Sequence, residues 1–209
     1  MLQNDVILLR ALEPEDLEYL YRWENDIELW DVSETLTPFS RFTLKEYIAN
    51  AHRDIYENKQ LQLTIVRKED MQPIGSVELF DFDPFHLRAG VGIMLHSKET
   101  RKQGYAKSAV ELILYYVFDV LALHQLYCYI PSSNTASLNL FDNMGFERSG
   151  CNKQWLKRGD SWEDVFLLQL LAENWKKCSP CGTAPAGRAD LREGHGLQSR
   201  ASRNIEYGT

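Results

Sequence analysis

One stretch, AGVGIMLHSKETRKQGYA from Ala89 to Ala106, restricts the fold more than any other part of this chain. Ala89 to Leu95 is a short apolar run with two glycines, which suits a buried strand, and Arg101 to Ala106 supplies a small-residue turn ahead of a long apolar helix. A strand, a turn and a helix N-terminus together make an anion site. Gly104 and Ala106 let backbone N–H groups close on a phosphate, and the helix start adds the positive end of its dipole. Arg101 and Lys102 add charge. Taken alone, a basic turn containing glycine is common on protein surfaces, and its weight here comes from a second block some thirty residues downstream.

That block is Asn134-Thr-Ala-Ser137-Leu-Asn139-Leu-Phe141-Asp-Asn-Met-Gly145-Phe146. The two blocks, in this order and separated by one helix and one strand, resemble the GCN5-related N-acetyltransferases (GNAT). In that family a strand precedes (Arg/Gln)-x-x-Gly-x-(Gly/Ala), matched here by Arg101, Gly104 and Ala106. An N-x-x-S segment then leads to G-F. The match runs from Val6 to about Leu171, and LRALEPEDLEYLYRWEND is similar to the branch of ribosomal-protein and polyamine (spermidine) acetyltransferases. The resemblance implies an α/β (α+β) fold whose central mixed, mostly antiparallel sheet splays between two strands and is flanked by helices. It also implies acetyl-CoA as co-substrate and no metal. The pyrophosphate would lie on Arg101, Lys102, Gln103, Gly104, Tyr105 and Ala106. The pantetheine arm and acetyl group would run along Ile93, Met94, Leu95, Asn134, Ser137, Asn139 and Phe141.

Composition agrees with one enzyme domain. The chain has 209 residues, 44% of them hydrophobic and 25% charged, enough to bury a sizeable core. A net charge of −7 argues against a nucleic-acid partner and leaves room for a cationic substrate. No apolar run approaches the roughly 18 residues of a membrane span, and MLQNDVILLR lacks the basic segment and cleavage site of a secretory signal. The expectation is a cytoplasmic protein without a membrane partner, open to homo-oligomer formation. Cys128 and Cys151 stand apart and read as buried free thiols.

In chain order, Val6 to Leu9 reads as a strand. Glu13-Pro14-Glu15-Asp16 starts a helix that runs to about Glu24, with Leu17, Leu20, Tyr21 and Trp23 as its apolar stripe. Ile27 to Ser40 reads as irregular, succeeded by a second helix from about Leu44 to Asn58. Strands are expected at Leu61 to Arg67, Ile74 to Phe82, Ala89 to Leu95 and Gln125 to Ile130. A helix over Tyr105 to Leu121 packs on the sheet, and a short one spans Ser137 to Met144, with Gly145 as its left-handed cap. Trp155 to Lys157 and Trp162 to Leu171 close the sheet. The domain is placed at residues 1–176. From 177 to 209 the text turns to Gly, Ala, Ser and Arg, and reads as a disordered extension. Cys178 and Cys181 with His195 fall short of a zinc ligand set. GxxxxGK[ST], GxGxxG, HExxH and GxSxG are all lacking, which leaves nucleotide hydrolysis, dinucleotide redox chemistry, zinc proteolysis and serine hydrolysis without a sequence handle.

Acetyl transfer to an amine needs a base, because a lysine-like amine of pKa about 10.4 arrives protonated. Glu78 is the favoured catalytic residue, acting through water. In a regular strand it faces away from Asp81 and Asp83. The oxyanion would find backbone amides around Met94 and Leu95. Phe141 stands where many relatives have a tyrosine for the departing thiolate; a thiol of pKa about 8.5 leaves tolerably as an anion, so a dedicated acid is dispensable, and Tyr105 and Tyr129 are the candidate substitutes. Trp30, Glu34, Phe39, Asp81 and Asp83 are the expected acceptor mouth, although core packing and surface solvation are the ordinary roles of such residues. The acceptor is expected to be a small polyamine such as spermidine. The alternatives are a protein N-terminus, or a weakly catalytic acyl-CoA-binding module.

Overall fold

Alternation along the strands sets one face of the sheet as the core. Val77 and Leu79, then Ala89 and Val91, then Leu126, Cys128 and Ile130 are all buried in one apolar cluster. In the computed structural model, residues 2–33, 35–51 and 53–178 are described. Glu34, His52, Cys181, His195 and residues 179–209 of the expected extension lie outside the described residues.

The strands are β1 (Leu2–Gln3), β2 (Ile7–Ala11), β3 (Leu61–Arg67), β4 (Gln72–Asp83), β5 (Arg88–Leu95), β6 (Gln125–Pro131), β7 (Glu147–Arg158) and β8 (Ser161–Leu171). They form one sheet in the order β1-β2-β3-β4-β5-β6-β8-β7, antiparallel throughout except for the parallel pair β5–β6. This is the mixed, mostly antiparallel sheet flanked by helices that the resemblance implies. The helices are α1 (Leu17–Glu24), α2 (Ile27–Ser33), α3 (Arg41–Asn50), α4 (Ile55–Asn58), α5 (Tyr105–Tyr115), α6 (Thr135–Asn143) and α7 (Ala172–Cys178). Helix α5 packs on β2, β4 and β5, and its Ala109, Val110, Leu112, Ile113 and Leu114 are buried. Leu138 and Phe141 of α6 join the same core.

The opposite face is covered over its first half by α1 and α3, which meet through Leu12, Leu20 and Leu44. Asp16 anchors this cap. It is almost fully buried, takes both Arg10 nitrogens at 2.6 and 2.7 Å, accepts the Glu13 amide at 3.0 Å and reaches the Thr64 hydroxyl at 3.3 Å. Those bonds, Arg10 above all, hold its carboxyl below the usual range against the opposing effect of burial.

Five expectations are corrected. Cys128 is buried as expected, but Cys151 is exposed on β7. The stretch Ile27 to Ser40 is not wholly irregular, because α2 occupies Ile27–Ser33. The helix expected over Leu44 to Asn58 is two helices. Ser40 caps α3 by accepting the Thr43 amide, and Asp54 starts α4 afresh by accepting the amides of Tyr56 and Glu57. The strand expected only at Trp155 to Lys157 begins at Glu147. Finally, β4 is not regular. Phe80 pairs with Gly90 and Asp83 with Arg88, so β4 carries one extra residue against β5, and Asp81 sits in that bulge at φ +48°. The extra residue turns Phe82 into the core and brings Asp83 to the face of Glu78 instead of the opposite one.

Candidate active site

Pairing between β5 and β6 is confined to Arg88 with Gln125, Ala89 with Leu126 and Gly90 with Tyr127. Beyond that point the strands part, leaving a wedge between Val91–Leu95 and Cys128–Pro131. The His96 amide donates to the Ile74 carbonyl at 3.1 Å. Alternation along an antiparallel ladder then turns the peptide groups of Met94 and Gly92 toward β4, and those of Val91, Ile93 and Leu95 toward the wedge. The backbone donors exposed there are Ile93 and Leu95. Met94, expected as one of them, is instead spent on the ladder opposite Ser76.

At the wide end of the wedge, Arg101, Lys102 and Gln103 are exposed, and Lys102 is left-handed at φ +62°. Gly104 comes next at φ +85°, immediately before α5, and a β-carbon on it would meet nothing within 4 Å. No side chain caps the first turn of α5, so its leading amides stay available to an anion beside this open turn. Gln103 Nε2 donates to the Glu99 carbonyl at 2.6 Å, which ties the turn down. Ala106 lies in the first helical turn. The Tyr105 side chain lies beside the Arg67 guanidinium, which also forks onto Asp70 at 2.9 and 2.6 Å.

The Asn-x-x-Ser spacing has a local cause. Asn134 Oδ1 accepts the Ser137 amide at 3.1 Å and so caps α6, while Asn139 is exposed on the next turn. Phe141 is buried edge-on against Phe146 at 5.0 Å. Gly145 has φ +87°, the left-handed cap expected for it.

On the other face of the sheet, Glu78 stands between Gln62 of β3 and Gly92 of β5. Because residue 92 has no side chain, the Glu78 carboxylate folds over it. A β-carbon there would touch Glu78 Cγ and Oε1 at 3.4 Å. Gln60 Nε2 donates to Glu78 Oε2 at 3.3 Å. Burial pushes the Glu78 carboxyl up, and Gln60 only partly offsets it. Two partners were invisible in the sequence. Glu24, the last residue of α1, is raised by burial and then by the charge of Glu78. Tyr47 of α3 is pushed up to about 12 by burial and by Glu78 and Glu24, and it donates its hydroxyl to Gln62. Glu24 and Tyr47 lie more than thirty residues from Glu78 along the chain, and nothing in their local pattern marks them. His96 stacks on Trp23 at 4.1 Å and meets Ser76 Oγ at 3.4 Å, while burial lowers its pKa to about 4.

The expected acceptor mouth is divided. Trp30 hangs from the end of α1 by donating Nε1 to the Glu24 carbonyl at 2.9 Å, and Phe39 is tied to Asn25 through two hydrogen bonds of 2.9 and 3.1 Å. Asp81 and Asp83 lie at the other end, lining a cavity with Tyr127 and Tyr129. Among the described residues no three His, Cys, Asp or Glu side chains come together as a metal site. None of the described helices is long and apolar enough to cross a membrane.

The acetyltransferase (GNAT) domain family matches residues 7–147. Spermidine N(1)-acetyltransferase of Vibrio cholerae is 28% identical over 177 residues, covering 82% of this chain and 96% of that protein. A solved structure of spermidine N-acetyltransferase from Vibrio cholerae in complex with CoA and spermine superposes with a TM-score of 0.73 at 23% identity, over 81% of this chain and 98% of that one. A dodecameric structure of spermidine N-acetyltransferase from the same organism does so with a TM-score of 0.69 at 25% identity, over 83% and 98%.

Proposed function

Since the chain belongs to the GNAT acetyltransferase family and is an N-acetyltransferase, we propose that it transfers the acetyl group of acetyl-CoA to a primary amine of a small polyamine, with Glu78 as the base. The observation that carries this reading is the Glu78 carboxylate, half-buried over Gly92 at the edge of the wedge. Its raised proton affinity moves it toward the working range of a general base. The relative named for spermidine supports the acceptor class.

The residues present fit acetyl-CoA. The turn from Arg101 to Ala106, with its vacant Gly104 and the first amides of α5, would hold the pyrophosphate. Ile93 and Leu95 offer amides to the pantetheine arm and the oxyanion. Asn134, Ser137 and Asn139 line the route beside α6. Glu78 takes a proton from the ammonium, directly or through water. The freed nitrogen attacks the thioester carbon, the C–S bond breaks with its electron pair on sulfur, and the nitrogen sheds its second proton to solvent. Phe141 offers no proton to the thiolate and Tyr105 lies against Arg67. This leaves Tyr129, at the lip of the wedge and half-exposed, as the available hydroxyl.

The β7–β8 hairpin runs beyond its last pair with β6 and carries Trp155 and Trp162, both more than half exposed. With the dodecameric relative, it supports assembly of this chain into a homo-oligomer through that arm.

Transfer of label from acetyl-CoA to a panel of polyamines, alkylamines and N-terminal peptides tests the function. Polyamines are expected to lead the panel, with the advantage shrinking at high salt, and Glu78→Gln should lower turnover by about 10² or more. Peptides leading the panel would favour a protein N-terminal acetyltransferase. Tight acetyl-CoA binding without any turnover would favour the acyl-CoA-binding module.

A further inference from the structure

Below the point where β5 and β6 part, the bulge in β4 opens a cavity of about 480 Å³ on the Glu78 side of the sheet. Tyr127 and Tyr129 line it, edge to face at 5.7 Å, and Tyr127 meets Phe80 in the same way at 6.0 Å. Most polar groups here already have partners. Asp83 faces Arg88 at 3.4 Å and accepts the amides of Phe85 and His86, while Gln169 Nε2 donates to Gln125 Oε1 at 2.8 Å. Asp81 differs from them. It accepts the Tyr127 hydroxyl at 3.3 Å and has no cationic partner among the described residues. A carboxylate without a counter-ion beside two aromatic rings is a seat for an alkylammonium, which pairs with the first and is attracted to the ring faces of the others.

We propose that this cavity holds the second, non-reacting ammonium of a linear diamine or polyamine, with Asp81 as its counter-ion and the spacing from Glu78 to Asp81 selecting chain length. The inference rests on the acyl transfer proposed above. Asp81 lies three residues beyond Glu78, at most about 10 Å along a strand that the bulge shortens, and Phe80 lies between them on the same face. The reacting nitrogen sits by Glu78 over Gly92, the methylenes cross the Phe80 ring, and the distal nitrogen reaches Asp81. Arg88 is held by Asp83, so its charge is already balanced inside the cavity.

A graded series of linear α,ω-diamines and matching monoamines, assayed with acetyl-CoA, tests the spacing. The expected optimum in kcat/KM lies where the two nitrogens stand no more than about 10 Å apart. There the diamine should exceed the equal-length monoamine by about 5- to 10-fold. That ratio should collapse toward one in Asp81→Asn and persist in Asp81→Glu, which keeps the charge. Amine acetylation without a length optimum, or an optimum that survives Asp81→Asn, overturns the subsite while the acyl transfer stands. If the wild-type protein acetylates no amine at all, the parent reading falls and the subsite with it.

Discussion

The two faces of the central sheet are made from the same strands and do opposite work. Toward α5 and α6, Val77, Leu79, Val91, Leu126 and Leu168 are at most 2% exposed and pack in one apolar cluster with Ile113 and Leu114. Toward α1 and α3, the alternate positions of the same strands are Gln62, Ser76, Glu78, Gly90, Gly92 and Tyr127. The first face stabilises the fold by burial, about 25 cal/mol for each Å² of apolar surface. The second tolerates desolvated carboxylates and has glycines where the neighbouring Glu78 and Phe80 side chains fold over the strand. A side chain at Gly90 would collide with the Phe80 ring, so that position is left to glycine. One face can bear the cost of the other because both hang on one ladder of backbone hydrogen bonds.

The largest expected effect is at the seam where the two faces open. Gly104→Asp adds a side chain at φ +85° and a negative charge where a pyrophosphate is proposed to sit. Calorimetry should find acetyl-CoA affinity lost in a protein that still folds, and unchanged affinity would dismiss the turn as the cofactor site. On the core face, Leu79→Ala should cost about 2–5 kcal/mol of stability in denaturant unfolding. It should leave the ratio of activities among different amines alone, since Leu79 is buried in the core on the face away from Glu78. A change in that ratio would mean that the faces are not separable.

On the chemical face the same kind of measurement should reverse its sign. The folded state raises the Glu78 carboxyl, so its contribution to stability is present below the unfolded pKa and is lost as pH rises through the folded one. At neutral pH the ionised side chain is therefore a liability. Glu78→Gln should melt higher than the wild type at pH 7 by a few degrees, with the difference vanishing in acid, while turnover falls. A lower melting temperature at pH 7 would show that Glu78 is there for the fold. The smallest effect belongs to Glu24→Gln. Burial and then the charge of Glu78 raise Glu24, whereas Glu78 itself is raised by burial, so Glu24→Gln should leave the acid limb of the kcat/KM profile nearly where it is. A limb that moves to lower pH would show that the two carboxylates titrate as one pair.

Much of the backbone around the proposed cofactor site was readable from the chain alone. The strand, turn and helix around Gly104, the cap ahead of α6 and the left-handed Gly145 all depend on residues within a few positions of one another. Local spacing and backbone freedom are enough to specify them, and Glu78 was legible as a carboxylate on a strand next to the central one. The sequence could not show that Asp81 and Asp83 share the side of Glu78, because a bulge is an extra residue measured against a partner strand, and only pairing with β5 reveals it. Nor could it show that the end of α1 and the middle of α3 close on the same carboxylate. Proton affinity depends on burial and on charges brought together through space. That is why Glu24, Tyr47 and the cavity at Asp81 were decided by the tertiary structure, whereas the turn proposed to hold the cofactor was already written in six consecutive residues.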